Sequence, residues 1–258
     1  MDRSYDDAVV VVTGASTGLG RAIAVGVAQR GARAVVINFA SSSAKAEITA
    51  GLVRDAGAEA VLAQGDVGDD AVCKAVVQAA APYGRIDALF NNAGITRARP
   101  YGDLDALTGE DFLDIYRVNV VGPYLMTRAA RALLEASDRA AVINTSSIAG
   151  VTGGGSSIAY SASKGALNTM TRSLAYALAP KIRVNTICPG FIDSPWFDKV
   201  GIDTASLREH IIATNPLKVA STPEDVADSA LFFGSRASRH VTGETLLIDA
   251  GRHLGTMP

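Results

Sequence analysis

The stretch Ala8-Val9-Val10-Val11-Val12-Thr13-Gly14-Ala15-Ser16-Thr17-Gly18-Leu19-Gly20 decides the fold. Valine is stiff at χ1 and suits an extended backbone, and an unbroken apolar run with no polar alternation is what a strand buried on both faces of a parallel sheet looks like. The run stops at Thr13-Gly14. A helical pattern then runs from about Gly18 to Arg30 and closes at Gly31, where a helix C-terminal glycine is expected. Gly14, Gly18 and Gly20 therefore stand between a strand and a helix. There glycine lets the backbone approach a pyrophosphate, and the helix N-terminus stabilises its charge. The spacing is G-x-x-x-G-x-G, not the common G-x-G-x-x-G, so the placement of the turn carries more weight than the motif.

Outward from this unit the same alternation continues. Strands are expected near Ala34 to Asn38, Ala60 to Gln64, Ala88 to Asn91, Ala140 to Thr145, Ile182 to Ile187 and Thr245 to Ile248. Helices are expected near Ser43 to Ala56, Asp69 to Ala81, Gly109 to Glu135 and Ala159 to Ala179, with another beginning near Pro223. Such alternation implies an α/β fold: a Rossmann-like doubly wound parallel seven-stranded sheet with helices on both faces, built from right-handed crossovers. No linker or repeat divides it, so residues 1–258 read as a single domain. Only 189–222 breaks the rhythm, with Pro189, Gly190, Pro195, Gly201 and Pro216. A long irregular insert of this kind reads as a substrate lid.

Composition narrows the function. With 24 basic against 26 acidic residues and a net charge of −2, the 258-residue chain has no general attraction to nucleic acid or anionic lipid. The N-terminus is acidic, and Ala8 to Val12 is too short for a signal-peptide core or a membrane span. Cys73 and Cys188 lie too far apart in sequence to suggest a disulfide framework, which points to a reducing cytoplasm. His210, His240 and His253 have no metal-ligand spacing, so no metal site is expected.

Chemistry concentrates at Tyr160 and Lys164, which follow Ser147. Residues at i and i+4 share one face of a helix, so phenol and ammonium can serve one site. A phenol ionises near pH 10, and making it useful near neutrality needs roughly 4 kcal/mol of help for the phenolate. A cation about 4 Å away supplies about that much at a surface-like dielectric. Lys164 is thus expected to lower the Tyr160 pKa.

Thr13 to Gly20, Asp66-Val67, Asn91-Asn92-Ala93-Gly94, Asn119, Ser147, the Tyr160-Ser161-Ala162-Ser163-Lys164 run and Pro189-Gly190 occur in this order. Together they make the chain similar to the short-chain dehydrogenase/reductase superfamily, in its single-domain branch, from Ala8 to Gly251. Asn91 to Arg97 and Ser146 to Gly150 resemble the 3-oxoacyl-carrier-protein reductase-like group. The resemblance implies an NAD(P)-dependent oxidoreductase acting on a small-molecule ketone or secondary alcohol. Tyr160 would be the general acid/base, Ser147 would stabilise the carbonyl oxygen, Lys164 would tune Tyr160 and hold the nicotinamide ribose, and Asn119 would hold a water leading to Lys164. Gly14, Ser16, Thr17, Gly18, Leu19 and Gly20 would cradle the pyrophosphate. Asp66 and Val67 would meet adenine, and Asn91, Ala93 and Gly94 would line the adenosine side. Pro189, Gly190, Ile192 and Ser194 would contact the carboxamide and start the lid. The family often has threonine where Ser194 stands, and serine keeps the hydroxyl.

Plainer readings stand beside these. Asn92 and Asp87 are expected to fasten the fourth strand to its neighbours, and Cys188 to be a buried thiol. Arg97, Arg99, Arg128 and Arg131 are interleaved with Asp103, Asp105, Glu135 and Asp138, so they read as a solvated surface more than a carrier-protein docking face. Phe191, Trp196, Phe197 and Ile202 suggest an apolar lid. A catalytically silent dinucleotide-binding sensor or scaffold is the alternative function, although it would need only the front half of the motifs. The second strand ends Asn38-Phe39-Ala40-Ser41-Ser42 with no acid to repel a 2′-phosphate, so NADP(H) is expected over NAD(H), with NAD(H) use possible. Surplus apolar positions on Gly109 to Glu135 and Ala159 to Ala179, helices that pair in the resembling family, suggest a homodimer or homotetramer.

Overall fold

Val9–Val12 forms β1, with every residue buried. The computed structural model describes residues 2–194, 196 and 203–255. Successive valines of β1 point to opposite faces of the sheet and join two different cores. Val10 and Val12 pack with Ile23, Val27, Leu231 and Phe233 on one face, while Val9 and Val11 pack with Val76, Met126, Ala130 and Leu134 on the other. Fully burying each such side chain is worth about 1.5–3 kcal/mol, which is why no polar residue interrupts the run.

Around β1 the chain builds α1 (Gly18–Gln29), β2 (Ala34–Phe39), α2 (Ser43–Asp55), β3 (Glu59–Gln64), α3 (Asp70–Gln78) and β4 (Ala88–Asn91). The second half adds α4 (Gly109–Tyr116), α5 (Gly122–Glu135), β5 (Ala141–Thr145), α6 (Ala149–Thr152), α7 (Ile158–Leu178) and β6 (Arg183–Pro189). It finishes with α8 (Thr204–Thr214), α9 (Pro223–Gly234) and β7 (Thr245–Ile248). The seven strands lie in the order β3-β2-β1-β4-β5-β6-β7, and every pairing is parallel. The chain winds outward from β1 to β3, then returns to β4 on the other side. This leaves a crevice between the C-terminal ends of β1 and β4, the place where open α/β sheets bind ligands.

Two expectations need correction. The helix expected from Gly109 to Glu135 is not uniform, because a π-helical turn at Arg117–Val121 separates α4 from α5. The 189–222 insert is not irregular throughout, since it contains α8. Asp203 caps that helix by accepting from the N–H groups of Ala205 and Ser206. Only Ile211 of α8 is buried, so the helix lacks the apolar stripe that reveals helices in sequence. No described helix is long and apolar enough to cross a membrane.

Asp87 has the fastening role expected of it. Its buried carboxylate accepts from Val9 N at 2.8 Å and Ser137 Oγ at 2.6 Å and pairs with Arg85 and Arg139. Burial opposes its charge, but the hydrogen bonds from Ser137 and Val9 and the Arg139 cation hold the carboxyl below its usual range. Asn92 works at the other end of β4, donating to the carbonyls of Thr13 and Gly14 at 3.0 and 3.2 Å. The crevice is thereby fixed from both ends of the strand.

Candidate active site

A groove of about 1200 Å³ follows the C-terminal edge of the sheet. Its walls include Gly14, Ser16 to Gly20, Ser41, Ser42, Asp66, Val67, Ala93, Gly94, Ser147, Tyr160, Lys164, Pro189, Gly190, Ile192 and Ser194. The turn after β1 forms its floor. Gly14 has φ +63°, and a Cβ there would sit 2.9 Å from Ala93 Cα, so backbone meets backbone at this point. The first turn of α1 carries no acid, and its N-cap Thr17 makes no side-chain capping bond. Its N–H groups are therefore available to an anion, and the floor fits a pyrophosphate.

Asn91 is not part of this wall. Its side chain is buried and donates to Asn144 Oδ1 at 2.9 Å and Thr127 Oγ1 at 3.3 Å. The chain of bonds continues from Asn144 to Thr171 at 2.9 Å and from Thr186 to Thr171 at 2.6 Å, tying β4, β5 and β6 to α7. Asn91 thus belongs beneath the groove, whose wall after β4 begins at Asn92.

The sequence motif of α7 brings Tyr160 to the groove, while Lys164 is buried behind it. Ser157 starts the helix by accepting from Tyr160 N at 3.3 Å. Ser147, after β5, accepts from Ala149 N at 3.1 Å, and its hydroxyl is close enough to the Tyr160 phenol to favour the phenolate. Lys164 Nζ lies 5.6 Å from the Tyr160 ring centre and donates to the Thr145 carbonyl at 2.8 Å. The expected lowering of the Tyr160 pKa is not present in this arrangement. Burial pushes the phenol up to about 12 against the opposing pull of the Ser147 hydroxyl, with Cys188 adding to the rise. Shared helix facing is correct, but the long lysine stem carries the ammonium to a carbonyl on β5. Burial also pushes Lys164 down to about 8.

Asn119 sits in the π-helical turn, buried, at the back of the site. Its Oδ1 accepts from Ile95 N at 2.8 Å, and its Nδ2 donates to Ile95 O at 2.9 Å and Ser163 Oγ at 3.1 Å. The amide clamps the segment after β4 onto α7. A Cβ on Gly94 would lie 3.3 Å from Asn119 Oδ1 and 3.6 Å from Lys164 Nζ, so glycine there keeps the space beside the ammonium open.

Several wall residues were not expected from sequence. Tyr101 Oη accepts from Gly155 N at 2.7 Å and lies 2.7 Å from Ser161 Oγ, which fixes the loop over Tyr160. Phe39 and Arg117 line the groove too, and Arg117 pairs with Asp66 at 2.9 Å. Leu207 and Ile211 of α8 join Phe191 and Trp196 on the other end, while Phe197 and Ile202 lie outside the described residues. Arg252 and His253 also line the groove, and no short motif around them announces it. Cys188 is buried beside Asn168 with its thiol pushed up by burial, as expected of an inert thiol. The Lys164 cation that sequence spacing did not place near it is one of its neighbours.

A family model described as enoyl-(acyl carrier protein) reductase matches residues 14–253. A Streptomyces violaceoruber protein named as ketoacyl reductase 2 of the granaticin polyketide synthase is 41% identical, with 95% of this chain and 96% of the relative covered. Cis-4-hydroxycyclohexanecarboxylate dehydrogenase of Sinomonas cyclohexanicum is 35% identical over 97% of this chain and 98% of its own length. Versicolorin reductase of Emericella nidulans is also 35% identical, over 95% and 96%. Among solved structures, a short-chain dehydrogenase/reductase from Burkholderia xenovorans superposes with a TM-score of 0.88 at 41% identity, covering 96% of this chain and 98% of that one. Fold, groove and relatives agree, and the chain belongs to the short-chain dehydrogenase/reductase family of NAD(P)-dependent oxidoreductases.

Proposed function

We propose that this oxidoreductase is an NADP(H)-preferring reductase of ketones with an apolar body, working in reverse on the secondary alcohols, with Tyr160 as the general acid/base. The observation that carries the reading is the convergence of Ser147, Tyr160 and Lys164 on one groove whose floor fits a pyrophosphate. When bound, the nicotinamide supplies or takes up the hydride. Ser147 hydrogen-bonds the substrate oxygen and stabilises its developing charge. Tyr160 gives its phenol proton to that oxygen. The Lys164 ammonium, with Nζ 5.6 Å from the ring centre, favours the phenolate left behind. Asn119 holds the backbone that keeps Gly94 beside the ammonium. The apolar end made by Phe191, Trp196, Leu207 and Ile211 supports a hydrophobic substrate, as do relatives named for ketoacyl and versicolorin reduction. NADPH oxidation with a panel of neutral cyclic and acyl ketones tests this. Cofactor binding with no turnover of any ketone would favour a silent binding module.

Reduction needs both protons in place, one on the phenol to be given and one on Lys164 to stabilise what remains. Because Lys164 is pushed down to about 8, kcat/KM for ketone reduction should be flat near neutrality and decline as pH rises through about 8. The apparent value will belong to the coupled pair. A profile that stays level up to about pH 10 would remove Lys164 from this role.

We further propose a cytoplasmic homodimer or homotetramer. Cys73 and Cys188 are both free, and the α4–α5 surface exposes Leu113, Val121 and Tyr124 while α7 exposes Tyr176. Such a patch is self-complementary across a two-fold axis. Light scattering at micromolar concentration should return a multiple of 26.6 kDa, and a monomer alone would sink the proposal.

A further inference from the structure

The turn that follows β7 contributes a feature that hydride transfer does not use. Ala250 and Gly251 both have positive φ, 55° and 85°, which swings the chain sharply after Asp249. Gly251 rests on Pro216, where a Cβ would meet the proline ring at 3.0 Å, and Leu217 N donates to Ala250 O at 3.2 Å. Arg252 and His253 are thereby carried to the groove, at the end that also has Trp196, Leu207 and Ile211.

Asp249 holds this turn from behind. Its side chain is 2% exposed, and it accepts from Gly251 N at 3.0 Å, His253 N at 2.8 Å and His253 Nδ1 at 2.9 Å. It also packs against Gly190, where a Cβ would lie 2.8 Å from Asp249 Cβ, so the carboxylate sits directly behind the Pro189-Gly190 wall. With Nδ1 committed to a buried carboxylate, the part of the imidazole left exposed is its Nε2 edge. Beside it, the Arg252 guanidinium has no hydrogen bond or ion pair among the described residues. The one carboxylate in the described groove wall, Asp66, is paired with Arg117. This end of the groove therefore carries a guanidinium with no direct partner among the described residues, next to an oriented imidazole.

We propose that Arg252 and His253 bind a carboxylate carried by the substrate at the end remote from its reacting carbonyl. Arginine suits this because its planar fork matches a carboxylate with two parallel N–H bonds. His253, fixed by Asp249, offers Nε2 as a further partner. The inference rests on the proposed reductase reading and specifies its substrate as an oxo or hydroxy acid with an apolar spacer.

The chain contains a single tryptophan, Trp196, and it lines this end of the groove, so its fluorescence reports occupancy directly. Full-length protein saturated with NADP⁺ is titrated with cyclohexanecarboxylate and with the neutral cyclohexanecarboxamide. The carboxylate should bind at least tenfold more tightly. Arg252→Gln should reduce that preference to within about twofold, Arg252→Lys should keep most of it, and His253→Phe should lower it partially. Arg252 is exposed and its guanidinium has no partner among the described residues, so the melting temperature of both Arg252 variants should stay unchanged and certify folding, whereas His253→Phe takes a hydrogen bond from the buried Asp249 carboxylate and should melt somewhat lower. Equal binding of the two ligands, no binding of either, or an unaltered preference in Arg252→Gln overturns the inference. Turnover of neutral ketones without any carboxylate preference would leave the reductase reading standing and sink only this one. Carboxylate binding with no ketone turned over would do the reverse.

Discussion

Tyr160→Phe should lower kcat for ketone reduction by about 10²–10⁴-fold while cofactor affinity stays within a few-fold. The substitution removes the hydroxyl alone. Its ring would still pack where a Cβ on Gly155 would come within 3.3 Å of Tyr160 Cδ1. Because burial pushes the phenol up to about 12, the wild-type side chain is neutral at pH 7, and the variant changes no resting charge. The pyrophosphate floor at Gly14 to Gly20 is untouched, so cofactor titration serves as the internal control. Retention of more than about a tenth of kcat would mean that another group delivers the proton.

The parts of this molecule that were legible in sequence are those where local chemistry and tertiary position ask for the same residue. β1 is such a place: four valines read as a strand buried on two faces, and the structure sends alternate valines into two separate cores. Ser147 and Tyr160 were legible as site residues through the ordered motifs that carry the family resemblance, and both line the groove. Where the outcome depended on the reach of a side chain, the sequence misled. Tyr160 and Lys164 share a face, but the lysine stem delivers its ammonium to Thr145 O instead of the phenol. Asn91 belongs to the motif that lines the groove but not to the groove itself, since a strand residue can face either side and this one faces Asn144.

Other features depend on contacts between distant segments. Asn119 was legible only through the family resemblance, as the holder of a water; the clasp of its amide around the Ile95 backbone depends on the π-helical turn. α8 was hidden by the prolines and glycines on either side of it and by its single buried residue. Asp249 and His253 are spaced i,i+4 outside any α-helix, His253 lying in a 3-10 turn, and positive φ at residues 250 and 251 is what brings them together. In each case the deciding quantity is a backbone direction that a linear pattern does not encode.

Ser42→Asp should shift cofactor preference from NADP(H) toward NAD(H) by about two orders of magnitude in the ratio of kcat/KM values, a change of about 2.7 kcal/mol. Ser41 and Ser42 line the groove where β2 ends, and the first turn of α2 holds no acid. Ser42 is the N-cap of α2 but makes no side-chain capping bond, so its hydroxyl and the first N–H groups of the helix are available to a phosphate. Thr17 supplies no charge, but Arg21 lies close by: its guanidinium donates to Ser16 O at 2.7 Å and Lys45 O at 3.2 Å, tying the glycine turn to α2. That cation raises the local potential without forking onto the ligand, so the wild-type preference for NADP(H) should be modest. Aspartate is a favourable N-cap residue, and the fold should therefore tolerate the change. Its carboxylate would repel a 2′-phosphate and accept from the ribose hydroxyls of NAD(H), which is how acids at the end of the second strand select that cofactor. Steady-state kinetics with both cofactors decide the matter. A wild-type kcat/KM for NAD(H) more than tenfold above that for NADP(H) would show that the end of β2 does not hold the phosphate. An unshifted ratio in Ser42→Asp would place the discriminating contact elsewhere in the groove.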